Sequence, residues 1–246
     1  MITIKKNKNI KLKIPSFTCD ENAVGEHLNN HDLLKFMNIY GFLCVIGRPG
    51  SGKTSSTIAM ITQKKPRIYK KCFHHIILFM PENSINSLKT NPFKKLNPEN
   101  IYHELNNSTI LEAYTKIDGW SKQGEKSFLY LDDMTSDLKK SKFIIDTLKK
   151  MIYNRRHLKL NIIVTLQVYP NLPLDIRKCI TNLILFKPPK KELEKVFEEL
   201  IESKKDMFEE INKLVYNENH NFLFLNVPTQ TMFKNWDEII IDEKDD

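Results

Sequence analysis

Short, nearly continuous apolar runs punctuate this chain at residues 42–46, 73–80, 128–131, 162–166, 183–186 and 222–227, most of them ending at Gly, Pro, Asp, Asn or Gln. Apolar runs of that length without alternation describe strands buried on both faces. Between them the spacing shifts toward about 3.6 residues, the helical period. Residues 55–63 are helix-compatible, 109–122 read as a helix closed by Gly124, and 139–153 place Phe143, Ile144, Leu148, Met151 and Ile152 on one face. From 192 to 215 apolar positions recur at 193, 196, 197, 200 and 201 and then, out of phase, at 207, 208, 211, 214 and 215. That change of phase predicts two helices, or one kinked near Ser203. A further strand is expected at 231–234, and 81–107, with Pro81, Pro92 and Pro98 among asparagines, reads as loop with at most one helical turn. Residues 2–14 alternate loosely and stop at Pro15, as an added edge strand or hairpin would, and 31–39 form a short amphipathic segment. Strands alternating with helices predict an α/β domain with a mostly parallel central sheet, helices on both faces, and ligands at the carboxyl ends of the strands.

A chain of 246 residues fits one such core with additions. Its net charge of +8 suggests a polyanionic partner, although surface lysine also serves solubility. The positive charge is clustered: Lys5 to Lys13, then Lys64, Lys65, Arg67, Lys70 and Lys71, then Lys149, Lys150, Arg155, Arg156 and Lys159. The C-terminus is acidic. Cys19, Cys44, Cys72 and Cys179 are far apart and read as reduced, mostly buried thiols. His74 and His75 are adjacent on an expected strand and point to opposite faces, and His103, His157 and His220 are isolated in sequence, so a histidine metal site has little support. The N-terminus has no apolar signal-peptide core, and no uncharged apolar run approaches a membrane span, so a soluble, non-secreted protein without a membrane segment is expected.

Three stretches carry chemistry. Gly47-Arg48-Pro49-Gly50-Ser51-Gly52-Lys53-Thr54 follows the 42–46 strand and opens a helix, the setting a phosphate-binding P-loop requires. Its backbone N–H groups and the helix N-terminus would cradle ATP phosphates, Lys53 would reach the β- and γ-phosphates, and Thr54 would ligate Mg²⁺. Asp132 and Asp133 end the next apolar strand but one. The first would hold the metal and the second would orient attacking water, which implies hydrolysis rather than storage of the nucleotide. Gln167, at the end of the 162–166 strand, would sense the γ-phosphate.

Together with Asn154-Arg155-Arg156-His157 and Leu172-Pro173-Leu174-Asp175-Ile176-Arg177, these stretches resemble the FtsK–HerA superfamily of DNA-pumping ATPases. Within it, the chain looks most like the genome-packaging ATPases of large DNA viruses and virophages. The ending Met232 to Ile240 is similar to the family's C-terminal strand pair. The resemblance covers about residues 40–240 and implies a RecA-like, additional-strand P-loop NTPase, with an extra strand between the P-loop and Asp132 strands and extra C-terminal strands. It also implies a homo-oligomeric ring, often a hexamer, around double-stranded DNA, with capsid or portal-vertex proteins as further partners. By the same resemblance Lys53, Asp133 and Gln167 are catalytic, Asp132 and Thr54 hold Mg²⁺, and Arg156 completes the neighbouring subunit's site, with Arg155 its rival and Arg177 a weaker candidate. Many relatives carry glutamate at the second acidic position; aspartate here is shorter.

The resulting division is a basic extension at 1–30, a P-loop ATPase domain at 31–240 and an acidic tail at 241–246. The function expected is ATP-driven packaging of a viral genome into a preformed capsid, in the host-cell cytoplasm or viral factory, or carried in the virion. The alternatives are a cellular or plasmid-type pump of the same superfamily, a P-loop small-molecule kinase, and an inert P-loop DNA binder. DNA contact is expected from at least one basic segment, 64–71 competing with Lys139, Lys140 and Lys142.

Overall fold

The computed structural model describes residues 37, 40–64, 68–88, 91–138, 140–201 and 207–240. The expected N-terminal strand or hairpin, nearly all of the 31–39 segment, Lys139, the helix junction at Ser203 and the acidic tail lie outside the described residues. Along the rest run β1 (Phe42–Ile46), α1 (Lys53–Thr62), β2 (His75–Phe79), α2 (Glu82–Asn86), β3 (Ile101–Tyr102), α3 (Asn107–Lys122), β4 (Ser127–Asp132), α4 (Thr135–Leu138) and α5 (Lys142–Tyr153). Then follow β5 (Leu160–Leu166), α6 (Leu174–Arg177), β6 (Asn182–Phe186), α7 (Lys190–Leu200), α8 (Met207–Val215), β7 (Phe222–Asn226), β8 (Thr231–Lys234) and β9 (Asp237–Ile239).

Among the described residues the strands form one nine-stranded sheet in the order β3-β2-β4-β5-β1-β6-β7-β8-β9. The stretch from β3 to β6 is parallel, and β7, β8 and β9 join antiparallel. β5 lies between β1 and β4, which is the additional strand the family resemblance implies. Alternation along each strand divides the interior in two. Phe42, Cys44, Ile46, Leu129 and Leu131 face one layer, with apolar residues of α3, α5, α7 and α8 packed against them. Leu43, Val45, Phe128 and Tyr130 face the other, with Met60 and Ile61 of α1 and the segment around Tyr69. Both faces are covered, which is why these strands read as unbroken apolar runs. No described helix is long and apolar enough to cross a membrane.

Two expectations change. The 81–107 stretch holds α2, β3 and two 3₁₀ turns at Pro92–Lys95 and Pro98–Asn100. Asn91 and Asn97 start those turns, their side-chain oxygens accepting the N–H of Phe93 at 2.8 Å and of Glu99 at 3.2 Å, with proline in the first turn where no donor is needed. The helix expected at 139–153 starts later, as α5 at Lys142, because the Ser141 hydroxyl caps it by accepting the Phe143 N–H at 3.2 Å; the short α4 precedes it as a separate turn. Over 192–215 the chain takes the first of the two expected forms, two helices, α7 and α8.

Arg177 is not available as a catalytic arginine. It is 6% exposed, donates through Nε and Nη2 to Glu199 at 2.7 and 2.8 Å, caps the Leu172 carbonyl at 2.7 Å and lies over the Tyr169 ring. The Tyr169 hydroxyl donates to the same carboxylate at 2.9 Å. Burial raises the Glu199 pKa, but the bonds from Arg177 and Tyr169 outweigh it and hold the carboxyl below its ordinary value. A depressed carboxyl stabilises the fold above its unfolded pKa and loses that contribution as pH falls through the folded value. Glu199→Ala, which strands a buried guanidinium, is expected to cost about 3 kcal/mol or more in denaturant unfolding. The paired replacement Arg177→Met with Glu199→Leu is expected to cost less than the single change.

Candidate active site

Parallel strands deliver their carboxyl ends to one edge, and the three marked stretches meet there. β1 runs into the P-loop, β4 into Asp132 and Asp133, and β5 into Gln167. The Gly47 N–H donates to the Leu166 carbonyl at 3.1 Å, which ties the start of the P-loop to the strand that carries Gln167. A Cβ on Gly47 would stand 2.8 Å from the Phe186 Cβ and 2.5 Å from the Ser51 Oγ, and Gly52 has φ 106°, so neither position accepts a side chain cheaply. α1 has no acidic residue in its first turn and no side-chain N-cap, which leaves its N-terminal end suited to an anion.

Lys53 is buried, and its Nζ donates to the carbonyls of Gly47 at 2.7 Å and Arg48 at 3.1 Å. Burial pulls its pKa below the ordinary lysine value, while the charges of Asp133 and Asp132 oppose that pull. Phosphate oxygens are better acceptors for such an ammonium than carbonyls are.

Asp132 is 2% exposed and gathers three hydroxyls. Thr54 reaches Oδ1 and Oδ2 at 3.1 and 3.2 Å, Tyr130 donates to Oδ1 at 2.6 Å, and Thr165 donates to Oδ1 at 2.8 Å. The buried Tyr130 hydroxyl has its pKa raised, by desolvation first and then by the Asp132 charge, and stays a donor. Hard oxygens at the spacing of Thr54 and Asp132 suit Mg²⁺, whose octahedron at about 2.1 Å sets neighbouring ligands roughly 3 Å apart. Asp133 stands beside them in the left-handed region, φ 53°, its N–H donated to the Thr165 hydroxyl at 2.9 Å. The Gln167 amide donates to both its carboxylate oxygens, at 2.9 and 3.2 Å.

A cavity of about 690 Å³ opens beside the loop, between residues 48–51, 186–188 and 216–221. That volume suits a bound small molecule. His220, isolated in sequence, sits at its wall with Nδ1 3.2 Å from the Ser51 carbonyl.

Arg156 is elsewhere. It is exposed in the connection between α5 and β5, at the amino end of β5, about 20 Å along that strand from Gln167. Arg155, half-buried in the same turn, donates from Nε to the Tyr40 carbonyl at 3.0 Å and from Nη1 to that of Ile152 at 2.9 Å. The basic runs at 64–71, where described, and at 155–159 share this edge, since each precedes a strand of the parallel sheet. Sequence reasoning missed Tyr130 and Thr165. The available signal was strand alternation: each stands two residues before a marked side chain, on the same face.

Fold and site together define a P-loop ATPase built on a RecA-like sheet with one additional strand. Residues 29–246 match the family model described as Poxvirus A32 protein, and the chain belongs to that family. No curated protein sequence matches it. Among solved structures, the genome packaging NTPase B204 of Sulfolobus turreted icosahedral virus 2 with sulfate aligns over 82% of this chain and 98% of its own, at 18% identity and a TM-score of 0.60. The same protein with ATP-gammaS aligns over 83% and 100%, at 15% identity and 0.57. The cytoplasmic domain of the Thermomonospora curvata type VII secretion ATPase EccC aligns over 83% of this chain and 25% of its own, at 11% identity and 0.53. The likeness to packaging ATPases read from the motifs is borne out by these matches.

Gly47→Ala is expected to keep the fold but distort the loop, because its Cβ meets the Phe186 backbone-proximal carbon rather than a flexible tip. The expected outcome is at least a tenfold loss of affinity for a fluorescent ATP analogue, with an almost unchanged thermal midpoint.

Proposed function

We propose that this chain is an ATP-driven translocase that packages double-stranded viral DNA into a preformed capsid, working as a homo-oligomeric ring. The observation that carries the reading is the meeting of Lys53, Thr54, Asp132, Asp133 and Gln167 at one sheet edge. Such a set binds a triphosphate and cleaves it. The description of B204 as a genome-packaging NTPase, on a shared fold, supports the biological setting.

In this reading the P-loop holds the phosphates and the cavity beside His220 holds the nucleoside. Thr54 and Asp132 would hold Mg²⁺, which offsets phosphate charge and polarises the bond to be broken. Asp133 accepts a proton from, and aims, the attacking water, while Gln167 passes the state of the γ-phosphate into the segment beyond β5. That segment is anchored: the Tyr169 N–H donates to the buried Glu192 carboxylate at the start of α7. Arg156, being at the far end of its own sheet, serves the next subunit's nucleotide. DNA is gripped by its phosphates, without regard to sequence, and capsid or portal-vertex proteins dock the ring.

The purified protein is expected to hydrolyse ATP faster with double-stranded DNA and with no phosphoryl acceptor present. Asp133→Asn is expected to bind Mg-ATP normally and to lose turnover by about two orders of magnitude or more. Acceptor-dependent phosphoryl transfer without DNA stimulation would make it a kinase instead.

Arg156→Ala is expected to keep ATP binding and lose turnover about 10³-fold, as removal of a charge aimed at the transition state does. Mixed with Lys53→Ala subunits, which are dead in their own sites but carry Arg156, it is expected to recover activity. An exchanging mixture that stays inactive at every ratio overturns the role of Arg156 across subunits.

A further inference from the structure

Thr165 is the penultimate residue of β5, fully buried, and pairs in register with Asp132 of β4. Its hydroxyl has two partners of opposite kind. One is Asp132 Oδ1 at 2.8 Å, an acceptor; the other is the Asp133 N–H at 2.9 Å, a donor. A hydroxyl carries one proton and two lone pairs, so both directions are forced: the proton goes to Asp132 and a lone pair takes the amide. One side chain thereby holds both acids of the site.

We infer that Thr165 is a positioning residue for hydrolysis, acting through Asp133. This rests on the reading of Asp133 as the group that aims water. Asp133 has φ 53°, a conformation disfavoured for a non-glycine residue that persists only where neighbours enforce it. The bond from its N–H to Thr165 is the enforcing contact at that residue's own backbone. It turns the chain so that the carboxylate lies against Gln167 Nε2, at 2.9 Å, instead of continuing along the strand beside Asp132. Asp132 itself depends on Thr165 less, because Tyr130 and Thr54 also donate to it. Loss of the hydroxyl is therefore expected to fall on water activation and to spare nucleotide binding.

Thr165→Val keeps the shape and the β-branch while removing both bonds. It is expected to bind Mg-ATP within about threefold of wild type and to lower kcat about 10- to 100-fold, the range for a buried donor left unpaired in a working geometry. Thr165→Ser, which restores the hydroxyl, is expected to recover kcat to within about threefold. The decisive measurement is a double-mutant cycle: Thr165→Val combined with Asp133→Asn is expected to turn over no more slowly than Asp133→Asn alone. Multiplied losses in the double variant overturn the proposal, since Thr165 then acts independently of Asp133, as does an equal loss of binding and turnover in Thr165→Val. Should Thr165→Val fail to fold, Thr165→Cys tests the same point with a weak acceptor of similar size, and wild-type turnover there overturns it. Full turnover in the single variant Asp133→Asn would instead remove the reading of Asp133, and is visible before Thr165 is changed.

Discussion

A single carboxylate holds this site together. Asp132 is a charge almost wholly removed from water, which by itself costs several kcal/mol. Hydrogen bonds to a charged acceptor return roughly 1.5–3 kcal/mol each, so the hydroxyls of Tyr130, Thr54 and Thr165 together are of the size needed to offset that cost. They come from three elements, β4 itself, α1 and β5. The first turn of the P-loop helix, the Asp132 strand and the Gln167 strand are therefore fixed relative to one another by one pair of oxygens, as well as by the sheet.

Much of this was legible in the chain, and the division between what was and was not is physical. The P-loop shows in sequence because its chemistry is local: backbone amides, glycines that clear Phe186 or take a positive φ, and a lysine and threonine on one contiguous stretch. The parallel core shows because strands covered on both faces become unbroken apolar runs. Contacts across strands leave no such trace. Thr165 is one hydroxyl in an apolar run, and only the β4–β5 register makes it a neighbour of Asp132 and Asp133. His220 meets Ser51 from 169 residues away along the chain. β3, two residues long, is too short, and β9 too short and too polar, for any periodicity to reveal. Arg177 was a weaker candidate, since an arginine there can simply cap the segment's carbonyls; it does cap that of Leu172, and what the chain gives no sign of is that Glu199 will bury it.

Topology also sorts the charge. In a parallel sheet every connection that leaves a strand lies on one edge and every connection that enters one lies on the other. Residues that end strands, Asp132, Asp133 and Gln167, are thereby separated from residues that precede them, among them Lys71, Arg155 and Arg156. Two opposed chemical surfaces arise from the direction of the strands alone, with no separate domain to carry the second.

Among the described residues, the two lateral borders of the sheet are poor places for another strand to add. β3 spans two residues, and β9 presents Asp237 and Glu238, both exposed. Short borders and charged side chains are how sheets resist growing sideways into fibres. Copies of this chain are thereby steered away from a shared, continuous sheet. In the ring proposed above, contact between copies would fall to surfaces made of side chains and loops, which could loosen and re-form with each round of nucleotide without breaking a ladder of main-chain bonds.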